Sequence, residues 1–548
     1  MTKEFFKNHR LALTPLAPIH IGLGEEFEPT EYIIDPEKKL LYAFDPSQAR
    51  LPENLRQELL KLAEAGRPES ILQIHGFIKK HKDFFLPQAH SVIPVSSGVA
   101  QKYDDSLFKG GDLKEFNRNL IERAITLADG RPFIPGSGVK GAIRTAWLEA
   151  LYQENPGLAG PLPPFGDDPR DHAWRSFEKH FEENMLNGDF QTSPFRLLKI
   201  ADFMPEPESA VGRKIVFACN YKKKPVMVNG QPTLIGRGPS TRKEVILPGQ
   251  YRLFQAYMSL VQPEKMGLKD KTPPWRPEIK DMARHCLAYH RPRLDKELKI
   301  IRELRLVNQI WADRLSGLLA ALQNDFDSGR AFLLRLGRYG DAETKTVADL
   351  AKIKILGAKG APPKYAKETT TIWLAAERDK DSRDLLPFGW ALVEIDPDPE
   401  NVPLNTFCQA ESQDDFGSRL DETKLRLKED REARKTALEV EKARKEAEEA
   451  AREAAKQALA ALTPEQALLE EFRRRLEIMN PLKPKDAGAA VLAEGQKFME
   501  DALSWPEPDR QKCAEILAPL FKVKNMFIGS REKRLKELLK ELRGQSNG

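Results

Sequence analysis

The stretch Pro132-Phe133-Ile134-Pro135-Gly136-Ser137-Gly138-Val139-Lys140-Gly141-Ala142-Ile143-Arg144 sets a strand end, a glycine turn, a helix start and two cations within thirteen residues. Pro135 and Gly136 stop the apolar run Phe133-Ile134, and Ser137 is positioned to cap the free amides of the next turn. Lys140 and Arg144 stand four apart and share one helical face. Backbone N–H groups and the positive helix end then converge where a phosphate would be held. The run is not a Walker A loop, which needs four residues between its first glycine and Gly-Lys-Ser/Thr, so nucleotide hydrolysis is not implied. A capped helix start whose glycines only permit tight packing would use the same residues.

Outward from this motif, Leu11-Ala12-Leu13-Thr14 reads as a strand, Pro18-Ile19-His20-Ile21-Gly22-Leu23-Gly24 as a glycine-bearing loop, and Glu31-Tyr32-Ile33-Ile34-Asp35 as a second strand. Helices are expected at about 51–82, 114–128 and 138–153, with strands near 197–202 and 214–218. Such alternation points to an α+β fold.

The charge is unevenly spread. The chain of 548 residues carries a net +5, but residues 211–252 hold nine Lys/Arg (Arg213, Lys214, Lys222, Lys223, Lys224, Arg237, Arg242, Lys243 and Arg252) against Glu244 alone. Elsewhere 78 basic and 81 acidic residues nearly cancel, so the whole positive excess lies in that segment. It reads as a long β-hairpin with Asn229-Gly230 as a two-residue turn, an arm whose cations would lie on nucleic-acid phosphates. A second glycine-rich element, Leu334-Arg335-Leu336-Gly337-Arg338-Tyr339-Gly340, runs from a strand into a loop. There Arg335, Arg338 and Lys345 supply charge, and Tyr339 could stack a base.

After about residue 413 the chain becomes helical and highly charged, with a boundary expected near 400 at Asp396-Pro397-Asp398-Pro399-Glu400. Residues 420–462 should form a long exposed helix held by charge pairs four apart. Beyond Pro464, Leu468, Phe472, Leu476, Phe498, Leu503, Trp505, Ile516, Leu520, Phe527, Leu535 and Leu538 suggest a small bundle broken at Asn480-Pro481, Trp505-Pro506 and Gly529. The expected organisation is thus 1–400, a linker and helix at 401–462, and a bundle at 463–548. No apolar run approaches a membrane span and the start lacks a signal-peptide core, which makes the cytoplasm the expected location and a membrane partner unexpected. Four scattered cysteines with no Cys-x-x-Cys pair signal neither a zinc site nor a disulfide framework.

Three motifs in combination, the 14–24, 133–144 and 334–340 segments quoted above, with Leu386-Pro387-Phe388-Gly389-Trp390-Ala391, resemble the repeat-associated mysterious protein (RAMP) superfamily of CRISPR effector subunits. The run from Glu25 to Asp35 looks most like the type III-A subunit that caps the backbone filament at the 3′ end of the guide RNA (crRNA). The resemblance covers about residues 10–395. It implies a ferredoxin-like or RRM-like core with the basic hairpin as a thumb across the guide, followed here by an all-α C-terminal extension that departs from the family pattern. It also implies crRNA, target RNA, the backbone and small subunits, and guide-trimming host nucleases as partners.

Backbone subunits of the superfamily cleave RNA with a metal and an aspartate after the His-Ile-Gly motif. Here that loop offers Glu25, Glu26, Glu28 and Glu31, with no aspartate before Asp35. Guide-processing members use a histidine, and His20 is the histidine in a superfamily motif, although one between Ile19 and Ile21 is commonly a packed residue bonded to a carbonyl. The expectation is therefore a non-catalytic RNA-binding subunit with no cofactor and no metal, the endoribonuclease being the alternative. Its expected RNA contacts are His20, Gly22, Gly24, Gly136, Ser137, Lys140, Arg144, Arg237, Arg242, Lys243, Arg335, Gly337, Arg338, Tyr339, Gly340 and Lys345.

Overall fold

The structure is a computed structural model that describes residues 5–108, 120–163, 172–207, 209–233, 240–262, 273–355, 362–412, 414–478, 490–522 and 530–544. Two compact units divide it, Met1–Arg431 and Glu432–Gly548.

The first unit is built on a six-stranded sheet whose main path runs Ala331–Arg335, Trp390–Ile395, Phe6–Pro15, Phe254–Val261, Leu198–Ile200. Every pairing along it is antiparallel. Helix Gly136–Glu154 follows the first strand and helix Ile279–Glu303 follows the third. Read in chain order, Phe6–Pro15, Leu198–Ile200, Phe254–Val261 and Trp390–Ile395 lie in the sheet as 4-1-3-2 with two helices interposed, a ferredoxin-like βαββαβ core with Ala331–Arg335 added at the edge. One face of the sheet buries Leu11, Leu13, Phe254 and Met258 against Val139, Ile143, Cys286 and Tyr289 of those helices. Alternation along Phe254–Val261 turns Gln255 and Tyr257 to the opposite side.

A second six-stranded sheet runs Leu386–Pro387, Thr371–Ala376, Arg213–Lys222, Thr241–Ile246, Ile121–Ala124, Gly22–Glu26. The expected hairpin is present: Arg213–Lys222 pairs antiparallel with Thr241–Ile246, and its outer part closes at Asn229 and Gly230, with φ of 51° and 77°. Ile121–Ala124 corrects the helix expected at 114–128, of which residues 114–119 lie outside the described part. Ile-Glu-Arg-Ala has fair helix propensity, but pairing with Thr241–Ile246 on one side and Gly22–Glu26 on the other overrides it. Asp35 ends a strand, Tyr32–Asp35, as its apolar approach suggested.

Helix Val402–Glu411 still belongs to the first core, burying Leu404, Phe407 and Cys408. Helix Asp414–Ala460 follows, with pairs four apart such as Lys445–Glu441 at 2.9 Å and Arg444–Glu448 at 3.5 Å. The second unit packs Leu469, Phe472, Leu476, Phe498, Met499, Cys513, Leu517, Leu535 and Leu539 into its own core. Leu468 and Leu503, expected inside, are 47% and 37% exposed, because the helical phase gives Leu469 the inward position beside Leu468. Phe527 and the breaks at Asn480-Pro481 and Gly529 lie outside the described residues. All four cysteines are buried and free. Among the described residues no helix is long and apolar enough to cross a membrane.

Two buried histidines make the fold acid-sensitive. Burial lowers His75 to about 4 and His290 to about 3, with nearby cations acting the same way. Both are neutral when folded and protonate in the unfolded chain below the ordinary 6.5, so stability is full above that value and falls as pH decreases toward 4. The expected slope is about 1.4 kcal/mol per pH unit for each histidine. Urea midpoints between pH 7 and 4 check this, and replacing His75 with Gln should remove one histidine's share of the slope.

Candidate nucleic-acid interface

The helix that opens the quoted motif starts at Gly136, with Pro135 as N-cap and no side-chain cap. Ser137 is therefore an exposed residue of the first turn and not the cap that its position suggested. The Gly136 N–H donates instead to Asp202 Oδ1 at 2.7 Å, so a carboxylate of this chain already sits at the helix end where a phosphate was expected. Gly136 is required there, since a Cβ would lie 2.4 Å from the Ala201 carbonyl oxygen. Half-buried Lys140 donates from Nζ to the Leu198 carbonyl at 2.7 Å. Its pKa is lowered by burial first, then by Lys199 and Arg144, which identifies a three-cation group. Arg144 reaches Glu182 at 3.4 Å and keeps 47% of its side chain exposed. Lys199 is exposed on its strand, in a position that no sequence motif marks.

The glycine loop after Ala331–Arg335 is clamped to the His20 segment. Arg338 N–H donates to the His20 carbonyl at 2.8 Å, and Gly337, at φ 77°, leaves room for that carbonyl where a Cβ would be 2.3 Å away. Glu122 sits at the centre of this contact. It accepts from Lys243 and Arg338, and its Oε1 lies 3.3 Å from His20 Nε2. Gly22 makes space for it, since a Cβ there would be 2.3 Å from Oε1. Burial would raise the Glu122 carboxyl, but Lys243 and His20 outweigh it and hold it below the ordinary carboxylate range. His20 is fully buried, its Nδ1 2.7 Å from the Glu244 carbonyl, and burial lowers its pKa. It is thus the packed, carbonyl-bonded histidine and not an RNA contact.

Other candidates are corrected the same way. Arg335 donates to the Phe388 carbonyl at 3.0 Å and to Glu297 at 2.7 Å, deep in the core. Tyr339, at φ 66°, packs its ring against Trp373 and Phe388 with centroids 5.0 and 5.1 Å away, so it supports the loop and does not present a free face. Gly340 is half-buried against Arg335. Arg338 and Lys345 do remain accessible: the first keeps 57% of its side chain exposed, and the second donates to the Gly337 carbonyl at 2.9 Å from an exposed position. Gly24 is exposed, its φ of 88° open to solvent.

The basic arm is less basic outside than its sequence suggested. Arg213 binds Glu244 at 2.7 Å, Lys223 binds Asp341 at 2.7 Å, Arg252 binds Glu394 at 2.8 Å, and Lys214 pairs with Glu377. Lys243 and Arg242 are buried, Arg242 with its guanidinium 5.7 Å from the Phe217 ring. Their burial corrects these two as surface contacts, and the carboxylates that pair with the segment's cations come in most cases from sequence positions over a hundred residues away. Arg237 lies outside the described residues. Lys224 stays exposed near the hairpin end.

A surface that the sequence did not mark lies on the open face of the ferredoxin-like sheet. Arg10 pairs with Tyr257, Asn8 with Ser259, and Ser259 with Lys199 across three strands. Tyr257 is 62% exposed and Phe6 48%. An exposed aromatic ring flanked by an arginine and a lysine can stack any base and pair with its phosphate. The period-2 pattern of Gln255, Tyr257 and Ser259 was the available signal. Glu25, Glu26, Glu28 and Glu31 are exposed ahead of strand Tyr32–Asp35, and among the described residues no three His, Cys, Asp or Glu are grouped to hold a metal.

The chain is 26% identical over 262 residues to the CRISPR system Cms protein Csm5 of Mycobacterium tuberculosis (strain CDC 1551 / Oshkosh), covering 45% of this chain and 64% of that protein. Proteins with the same description from Streptococcus thermophilus and Methanocaldococcus jannaschii are 29% identical over 160 residues and 27% over 188, covering 28% and 34% of this chain and 41% and 40% of theirs. The alignments therefore span less than two thirds of these relatives. A chain in a cryo-EM structure of a Csm-crRNA-target RNA ternary complex of a type III-A CRISPR-Cas system is similar at TM-score 0.43 and 20% identity, over 71% of this chain and all of that one. The family model of the RAMP superfamily matches residues 12–290, just over half of the sequence, and the chain belongs to that superfamily.

Proposed function

We propose that this protein is a non-catalytic guide-RNA-binding subunit of a type III-A CRISPR effector complex, capping the backbone filament at the crRNA 3′ end. Superfamily membership and relatives described as Csm5 support the class. The observation that carries the binding role is the exposed group of Tyr257, Arg10 and Lys199 on the open sheet face, with Lys199, on the edge strand, near enough to Lys140 of the adjoining helix to act on it together with Arg144. Ser137, Arg338 and Lys345 add accessible donors, and all of these act on backbone and stacked bases without reading sequence. Guide and target RNA, backbone subunits and a small subunit are the partners, in the cytoplasm, with residues 1–400 binding RNA and the helical extension serving assembly.

Copurification of the tagged protein from cells, followed by mass spectrometry and RNA sequencing, tests the reading. Guide RNA with effector subunits is the expected result; neither would overturn it. Cleavage of labelled guide or target RNA with Mg²⁺ or Mn²⁺, lost on changing Glu25 and Glu26 to Gln, would instead establish the nuclease alternative. Replacing Tyr257 with alanine should cost about 1–3 kcal/mol of RNA affinity, the worth of one stacked base, equally for unrelated sequences by fluorescence anisotropy.

A further inference from the structure

Within the first unit a cavity of about 490 Å³ has walls from four separate parts of the chain. They are Ala89 to Val92, the turn Asp129-Gly130-Arg131, Ser209 to Val211, and Leu427, Lys428 and Arg431 of the charged helix. That helix is seated there by both apolar and polar groups. Leu427 packs against the cluster of Leu40, Tyr42, Ala89 and Val92, and the Arg431 guanidinium donates to the Ala89 carbonyl.

The cavity lining carries more cations than carboxylates. Arg131, Arg213, Lys428 and Arg431 face it, with Asp129 as the carboxylate among the described lining residues. Asp129 is already held by Arg131, whose Nη2 lies 2.7 Å from Oδ2. Arg213 is fixed in place by Glu244 at 2.7 Å, Ser91 Oγ at 2.7 Å and the Gly130 carbonyl at 2.9 Å. His90 also lines the space. Burial first, then Arg123 and Arg431, lowers its pKa, against the opposing pull of Glu31 and Asp45. With Arg131 paired to Asp129 and Arg213 to Glu244, the further cations Lys428 and Arg431 leave this concave site with a positive excess suited to an anion of more than one charge.

We propose that this cavity binds a phosphate monoester, with the charged helix completing the site through Lys428 and Arg431. A monoester carries about −1.5 to −2 near neutral pH, whereas an internal RNA phosphodiester carries a single charge. The volume falls in the range of small-ligand sites, roughly 300–1,000 Å³, and suits a phosphate with its sugar. The monoester comes from a free nucleotide or from a phosphorylated RNA end; both present the same group. The helix beyond the family core then has a definite task, which is to close a phosphate site that the core leaves open. This proposal does not depend on the guide-RNA reading, since the cavity is separate from the Tyr257 group in its lining residues.

The test uses the full-length protein and isothermal titration with inorganic phosphate, adenosine 5′-monophosphate, dimethyl phosphate, and two short RNAs identical but for a 3′-phosphate or 3′-hydroxyl. Inorganic phosphate or the nucleotide is expected to bind at least tenfold more tightly than the diester. Both Lys428→Gln and Arg431→Gln should weaken that binding about tenfold or more, while affinity for the 3′-hydroxyl RNA stays unchanged. Preference for the 3′-phosphate RNA over its partner would assign the source to an RNA end, and nucleotide binding without that preference would assign it to a free nucleotide; either supports the site. Because Arg431→Gln also removes the bond to the Ala89 carbonyl, an effect in that variant without one in Lys428→Gln counts against the site. With histidine-labelled protein, phosphate should raise the His90 imidazole pKa in NMR titrations. Equal affinity for monoester and diester, or an unmoved His90, would overturn the proposal.

Discussion

Replacing Glu122 with alanine is expected to destabilise the protein by about 3–5 kcal/mol, the range for removing one partner of a buried ion pair. Glu122 and Lys243 each keep only 8% of the side chain exposed, so loss of the carboxylate leaves the ammonium buried without its counter-charge. The backbone around it also needs the carboxylate. Gly22 leaves the space that this side chain fills, and His20 Nε2 lies 3.3 Å from its Oε1. Urea denaturation measures the loss. The paired change Glu122→Gln with Lys243→Met should recover much of it, because an uncharged pair carries no unmet desolvation cost. Arg338, released from its carboxylate at the same time, remains exposed and is expected to add little to the loss.

Gly337→Ala should be about as severe. A non-glycine residue in the left-handed region costs about 1–2 kcal/mol, and forcing a methyl group into a filled space costs about 1–3 kcal/mol more. Both apply here, since Gly337 has φ of 77° and the new Cβ would meet the His20 carbonyl oxygen at 2.3 Å. That obstacle is backbone, which cannot rotate away as a side-chain tip could. The loop would have to lift, breaking the Arg338 N–H bond to the same carbonyl. A fall in thermal midpoint together with weaker RNA binding is the expected outcome. A control in another motif, Gly138→Ala, should be tolerated, because a Cβ there meets nothing within 4 Å.

Much of the frame is legible from local chemistry. Pro135-Gly136 ends the extended run and starts the helix, Asn229-Gly230 turns the hairpin, and the glycine loop follows a strand, because turn residues and apolar runs act within a few positions. The motif glycines do mark constrained positions, although the constraint is close approach between protein segments. Gly22, Gly136 and Gly337 each face another part of this chain at under 3 Å from a would-be Cβ. Cation roles are much less legible. A count over residues 211–252 cannot see Glu122, Asp341, Glu377 and Glu394, which the fold brings onto that segment and which neutralise half of its surplus. For the same reason the anion expected at the helix start proves to be Asp202. The open sheet face is hidden in the sequence because its residues come from strands some 250 positions apart, and only their register, Arg10 beside Tyr257, makes them neighbours.

The central claim is that Arg10, Lys199, Lys140 and Arg144 grip RNA phosphates regardless of sequence. Its most direct test is the salt dependence of RNA affinity, measured for the parent and for the variant with all four residues changed to alanine, on two unrelated single-stranded sequences. The slope of log K against log salt should flatten by about 0.7 for each phosphate that the variant no longer neutralises, and by the same amount on both sequences. Equal slopes for variant and parent, or a change confined to one sequence, would contradict it.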